Sequence, residues 1–244
     1  MTRAFSRPVH SSQVTPHRQL EAVVRRHLDS PWRRPISDTA RHVVDSLIPW
    51  LADFPGLILD AGCGTGESTA RLARRHSQSA VIGIDKSAHR LGRARELPDN
   101  ARLVRVDLAD FWRLAYQRGW RPAAHYLLYP NPWPKPGQFK RRWHAHPVWP
   151  YLLALGGAIE LRCNWAVYAR EFALALEISG VANVEVLSFT APEPLSAFER
   201  KYAASGHRLF RVTANLEMID HARFALDSDC PVPAFPVSGP AEPG

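Results

Sequence analysis

From Gly56 onward the chain alternates short apolar runs with amphipathic ones, and no other feature constrains its fold as strongly. "LILDAG" leads into "GESTARLARRH", "AVIGID" into "KSAHRLGRAREL", and "ARLVRVD" into "LADFWRLAYQRG". "AAHYLLYP" follows, then "GAIELRC" with "NWAVYAREFALALEIS", and last "NVEVLSF" and "RLFRVTANLE". The short apolar runs predict buried strands, and the stretches between them carry the spacing of helices. Strands that alternate with helices are joined by right-handed crossovers. The expected fold is therefore α/β, a mostly parallel, doubly wound sheet covered by helices on both faces.

At 244 residues the chain is long enough for one well-buried core. Residues 1–36 read as a basic N-terminal extension around one amphipathic stretch. Within it Leu20, Val23, Val24 and Leu28 share a helical face, and Arg18, Arg25 and Arg26 fall elsewhere. These cations are expected to add to binding of a polyanion. Ser37 is placed to cap a helix running from Asp38 to Leu51. The α/β domain then covers residues 37–226, and the proline-rich residues 227–244 are expected to be disordered.

Charge narrows the partners. The chain carries 31 Lys and Arg against 23 Asp and Glu, a net charge of +8, which steers it toward polyanions. Cys63, Cys163 and Cys230 form no paired motif, so neither a disulfide framework nor a zinc site is indicated and a reducing cytoplasm is expected. His144 and His146 have no carboxylate or thiol at ligand spacing beside them, so no metal is expected. The N-terminus lacks the apolar stretch of a secretory signal, and no apolar run approaches a membrane span.

"LDAGCGTGEST" holds the first chemical signal. Asp60 precedes Gly62, Gly64 and Gly66 at alternate positions, and a helix follows at once. Glycines there let backbone adopt positive φ and approach a ligand closely. A dinucleotide fingerprint would need a further glycine where this chain has Glu67, and an acid there would repel a pyrophosphate. The pattern D-x-G-x-G-x-G instead resembles motif I of the S-adenosylmethionine-dependent methyltransferases, whose class I members have a Rossmann-like fold. Glu67 then suits the donor's ammonium group, Asp85 at the end of "VIGID" the ribose hydroxyls, and Asp107 at the end of "VRVD" the adenine amino group. Three acids ending three successive strands fit a bound nucleoside.

In an open α/β sheet the ligand lies beyond the carboxyl ends of the strands, where strand order reverses. That point falls between the first strand and the one ending at Tyr129. Asn131 should therefore face the donor across the crevice, on a loop stiffened by Pro130, Pro132, Pro134 and Pro136. Trp133 offers an aromatic face or packs the loop, and Lys135, Lys140, Arg141 and Arg142 are placed to hold phosphates.

"YPNPWPK…KRRWHAHPVWP", "GGAIELRCNWAVYA" and "PLSAFERKYAASGHRL" resemble, in order, the motifs of the tRNA (guanine-46-N7)-methyltransferases: P-D-P-W-P-K with K-R-R, T-D-x-x-x-Y and T-x-F-E. With the glycine loop the resemblance covers about Gly56 to Arg211. It implies S-adenosylmethionine as cofactor, tRNA as partner and a cytoplasmic enzyme, monomeric or homodimeric. It also implies a site comprising Asn131, Trp133, Lys135, Asn164, Tyr168, Ser196 and Glu199. The chain departs from the pattern at Asn131 and Asn164, where the family has acids, and at Ser196, where it has threonine. An amide has one acceptor and turns an NH2 donor toward the other proton of guanine, so base reading is expected to alter, with Glu199 in reserve as the missing carboxylate. Two alternatives share the motifs: an amino-group N-methyltransferase with an N-P-P-[YF]-like loop at Asn131, and a donor-binding RNA module without turnover.

Overall fold

A computed structural model describes residues 6–217, 219–220 and 224–226; the expected tail, 227–244, lies outside them together with Cys230. The strands are β1 (Gly56–Ala61), β2 (Ser79–Asp85), β3 (Ala101–Arg105), β4 (Ala124–Leu128), β5 (Ala158–Cys163), β6 (Glu185–Phe189) and β7 (Leu209–Asn215). They form one sheet in the order β3-β2-β1-β4-β5-β7-β6. The first five strands in that order run parallel, and β7 is antiparallel to both its neighbours. β1 and β2 are buried almost throughout, as their unbroken apolar runs require, whereas the edge strand β6 is largely exposed.

The helices are α1 (Leu20–Leu28), α2 (Asp38–Asp45), α3 (Ile48–Leu51), α4 (Glu67–Arg75), α5 (Ala88–Leu91), α6 (Leu108–Gln117), α7 (Trp149–Ala154), α8 (Ala166–Ile178) and α9 (Ala197–Ala204). Ser37 caps α2, its hydroxyl accepting from the Ala40 N–H at 3.2 Å. The helix expected to run on to Leu51 is broken, because Pro49 stands in the first turn of α3 and has no N–H to bond back with. "KSAHRLGRAREL" yields only the single turn α5, which stops at Gly92, a residue that costs about 1 kcal/mol in a helix interior.

The N-terminal extension is not an appendage. Leu20, Val23, Val24 and Leu28 are buried in the main core, which also holds Trp149 and Phe172, and α1 lies against α7 and α8. Four such side chains contribute on the order of 6–12 kcal/mol, an upper figure since unfolded chains are partly compact.

Candidate active site

The turn after β1 has three left-handed glycines: Gly62 (φ 84°), Gly64 (φ 61°) and Gly66 (φ 76°). Its backbone is laced to β2, with Gly62 and Cys63 N–H both donating to the Ile84 carbonyl at 2.8 and 3.1 Å. A Cβ on Gly62 or Gly64 would meet nothing within 4 Å, so that face of the turn is open to a ligand. Asp60 is buried beneath it and accepts from Ser68 Oγ (2.6 Å) and Thr69 Oγ1 (2.7 Å), which fastens the first turn of α4 to β1. Its other oxygen, Oδ1, is buried with no partner among the described residues. Burial, partly countered by the two hydroxyls, pushes the Asp60 carboxyl up to about 6.

Asp85 ends β2 beside this turn with its carboxylate fully engaged. It accepts from Gly64 N–H (3.0 Å), Ser87 N–H (2.8 Å), Arg90 Nε (3.1 Å) and Arg90 Nη2 (2.7 Å). Arg90 thus occupies the acceptors that a ribose diol would use. Asp107 lies two residues past the end of β3, where it caps α6 by accepting from the Ala109 N–H at 3.0 Å. It lines a cavity of about 290 Å³ with Asp110, Lys86, Arg105 and the capped start of α2 at Ser37. Glu67 is not free to meet an ammonium: Arg200 holds it through both oxygens (2.6 and 2.7 Å), and Arg71 adds a third contact. The open glycine face, the orphaned Asp60 oxygen and this cavity fit a nucleoside donor once Arg90 yields, while the Glu67 carboxylate is occupied by Arg200 and Arg71.

β4 lies beside β1, so the turn that follows it leaves the same end of the sheet as the glycine turn. Two non-glycine residues in this turn have positive φ, Tyr129 (54°) and Trp133 (46°), a conformation costing about 1–3 kcal/mol each. Both are anchored. Tyr129 Oη donates to Glu199 at 3.0 Å, and the Trp133 carbonyl accepts from Arg142 Nη2 (2.9 Å) and Nε (3.3 Å). Asn131, exposed at the apex, accepts from the Trp133 N–H through Oδ1 at 3.3 Å. Arg141 lies over the Trp133 ring, 4.7 Å from its centroid. Lys135, Lys140 and Arg141 are exposed on this loop and keep the phosphate-binding role open to them.

Several expected substrate residues have other tasks. Arg142 is fully buried and ion-paired with Glu171 of α8 at 2.5 Å, so it cannot reach a phosphate. Glu199 is also fully buried; it accepts from Leu195 N–H, Tyr129 Oη and Arg162 Nη1, so it does not replace the missing acid. Ser196 caps α9 by accepting from the Glu199 N–H at 3.1 Å. Tyr168 is buried on α8, edge-on to the His144 ring at 4.9 Å. Asn164, just past β5, holds His207 Nδ1 at 3.0 Å, and His207 in turn reaches the Ser6 carbonyl.

The residue most easily missed from sequence is Glu171. One of its oxygens accepts from Gln13 Nε2 (2.6 Å) and His17 N–H (2.8 Å), the other from Arg142 and His144 Nε2 (3.0 Å). Burial pushes its carboxyl up, but the bonds from His144 and Arg142 outweigh this and hold it at about 2. Burial, partly offset by the bond to Glu171, holds His144 below the usual histidine range. "YAREFALAL" shows a lone acid among apolar residues, a signal indistinguishable from a solvated helix face until α1 and the loop are seen to cover it.

Residues 58–120 match a family model described as a methyltransferase domain. The chain is 30% identical over 168 residues to the tRNA (guanine-N(7)-)-methyltransferase of Alkalilimnicola ehrlichii, covering 63% of this chain and 69% of that one. It is 28% identical over 233 residues to the enzyme of the same name from Cupriavidus pinatubonensis, covering 85% and 90%. Among solved structures it is similar to the 16S rRNA (adenine(1408)-N(1))-methyltransferase of Catenulisporales acidiphilia with its cosubstrate S-adenosylmethionine, with TM-score 0.51 and 17% identity over 78% of this chain and 94% of that one. That likeness establishes the class I methyltransferase fold. No helix among the described residues is long and apolar enough to cross a membrane, and no cluster of metal-binding side chains occurs among them. The likeness to the Alkalilimnicola ehrlichii enzyme, spanning more than two thirds of it, places this chain in the tRNA (guanine-N(7)-)-methyltransferase family.

Proposed function

We propose that this chain transfers the methyl group of S-adenosylmethionine to N7 of a guanine in tRNA, at the position its family resemblance implies, and that it acts in the cytoplasm as a monomer or homodimer. The observation that carries this reading is the juxtaposition of the open glycine turn after β1 with the anchored Asn131 turn after the adjacent parallel strand β4, in a chain of this family. Gly62, Gly64, Asp85 and Asp107 would hold the donor, with Asp60 beneath the turn. S-adenosylmethionine, when bound, supplies a methyl carbon on a sulfonium, and the bond to sulfur breaks as the N7 lone pair forms the new one. No proton leaves guanine N7, so the chain needs no general base. Its contribution is positioning and exclusion of water, which tolerates an amide where the family has an acid. Lys135, Lys140 and Arg141 would meet phosphates, a salt-sensitive contribution to affinity.

The test is mass spectrometry of nucleosides from tRNA incubated with the protein and methyl-labelled donor. Label in 7-methylguanosine is expected. Label confined to exocyclic amines would favour the amino-group reading suggested by the Asn131-Pro132-Trp133 sequence. Tight tRNA binding with no label at any protein concentration would show a binding module.

A further inference from the structure

The Asn131 amide has a direction, and it follows from the strained turn around it. The Trp133 N–H is a donor only, so the atom that meets it at 3.3 Å is the amide oxygen. This leaves the Asn131 NH2 as the outward group, exposed and with no partner among the described residues. The arrangement is rigid because Trp133 is fixed on its other side. Arg142 holds its carbonyl with two bonds, Glu171 holds Arg142, and the Ser11 hydroxyl donates to the next carbonyl, that of Pro134, at 2.5 Å. A carboxylate on this turn would spend one oxygen on the same N–H and turn its second oxygen outward as an acceptor. Asparagine turns donors outward instead.

We infer that Asn131 reads the target base by donating to a ring carbonyl, O6 of a 6-oxopurine, and does not accept from the base's N1–H and 2-amino group. The inference rests on the guanine-N7 reading and deepens it. On guanine the acceptors O6 and N7 share one edge, so a donor on O6 sits beside the nitrogen that takes the methyl group. An exocyclic amine, which is a donor, would find no outward acceptor on this side chain.

The experiment uses three otherwise identical tRNA transcripts with guanosine, inosine or 2-aminopurine riboside at the target position. Inosine keeps O6 and lacks the 2-amino group; 2-aminopurine keeps the 2-amino group and lacks O6. Transfer of labelled methyl is followed as kcat/KM with the wild-type protein and with Asn131→Asp. With wild type, inosine is expected within about 3-fold of guanosine and 2-aminopurine at least about 10-fold lower. In Asn131→Asp the outward oxygen would face O6 as a second acceptor, so kcat/KM for guanosine and for inosine is expected to fall together, by about 5-fold or more. Comparing both proteins on the same transcripts cancels any effect of the analogue on tRNA folding. Inosine as poor as 2-aminopurine with wild type, or guanosine methylated by Asn131→Asp as fast as by wild type, would overturn the inference while leaving the function intact. A guanosine transcript that gains no methyl would sink the functional reading itself, and the inference with it.

Discussion

Arg90 should restrain donor binding, and replacing it with alanine should tighten the complex. A carboxylate has about four hydrogen-bonding sites, and those of Asp85 are filled by two backbone N–H groups and two guanidinium nitrogens. A ribose diol must take two of them. The backbone donors belong to the glycine turn and the cap of α5 and cannot leave without unfolding either. Arg90 can leave: its side chain is 49% exposed, against 4% for Asp85. A pair with one exposed partner is worth about 1 kcal/mol at most, and a donor that must break it binds weaker by that amount. Arg90→Ala should therefore lower the S-adenosylmethionine Kd about 5-fold. Because salt screens the pair in the wild type, the difference should shrink toward none between 0.05 and 1 M NaCl, values that bracket Debye lengths of roughly 14 to 3 Å. Isothermal titration of both proteins across that series is the assay. A Kd for Arg90→Ala equal to or weaker than wild type at low salt would refute the reasoning, for it would mean Arg90 moves aside freely or itself holds the donor.

Glu171→Gln should cost about 3–5 kcal/mol in urea unfolding, because it leaves the fully buried Arg142 charge unpaired. Gly83→Ala would drive its Cβ into Thr69 Oγ1 and to 2.5 Å from Leu103 Cδ2, destabilising by about 1–3 kcal/mol, whereas Gly64→Ala meets no atom within 4 Å, costs only the roughly 1–2 kcal/mol of a left-handed alanine, and should lose donor affinity as well, which titration would show. Stability should also respond to pH. Burial lowers His125 to about 4, below its usual 6.5, so it contributes stability fully present above pH 6.5 and lost as pH falls through 4, about 2–3 kcal/mol by pH 4.5. Asp60, raised to about 6, has the opposite sign: its contribution is complete below its usual 3.8 and lost as pH rises through 6. Urea midpoints at pH 7 and 4.5 should therefore fall less in His125→Gln than in wild type, and more in Asp60→Asn.

The sheet was legible because β1, β2, β4 and β5 are short apolar runs between helical ones, and the crossover rule then fixes their order. The glycine turn and the acids near the strand ends were legible too, since both are local patterns. What sequence could not supply was pairing at long range. Arg90 reads as a solvated helix cation, yet it lies on Asp85. Arg142 reads as one of four loop cations, yet Glu171, 29 residues on, removes it from solvent. The basic leader suggested an RNA-binding arm. Its helix is core on one face, where Leu20, Val23, Val24 and Leu28 are buried, and leaves the arginines of the other face exposed. Helix α9 begins at an ordinary cap, Ser196 accepting from the Glu199 N–H, inside a stretch whose sequence stands out only as a motif.

The positions expected to touch the substrate divide into those exposed on the turn and those that shape it. Tyr129 and Trp133 both hold positive φ, and a turn with two such residues persists only if its surroundings over-determine it. Glu199 secures the first through the Tyr129 hydroxyl, and Arg142 the second through the Trp133 carbonyl. Each anchor is itself neutralised in the core, Glu199 by Arg162 and Arg142 by Glu171. The motif residues of α9 and of the basic loop thus converge on one backbone segment from opposite sides. A single exposed amide at its apex can then differ from the family's acid without disturbing the frame. The departure at Asn131 alters what is presented to the base and leaves intact where it is presented.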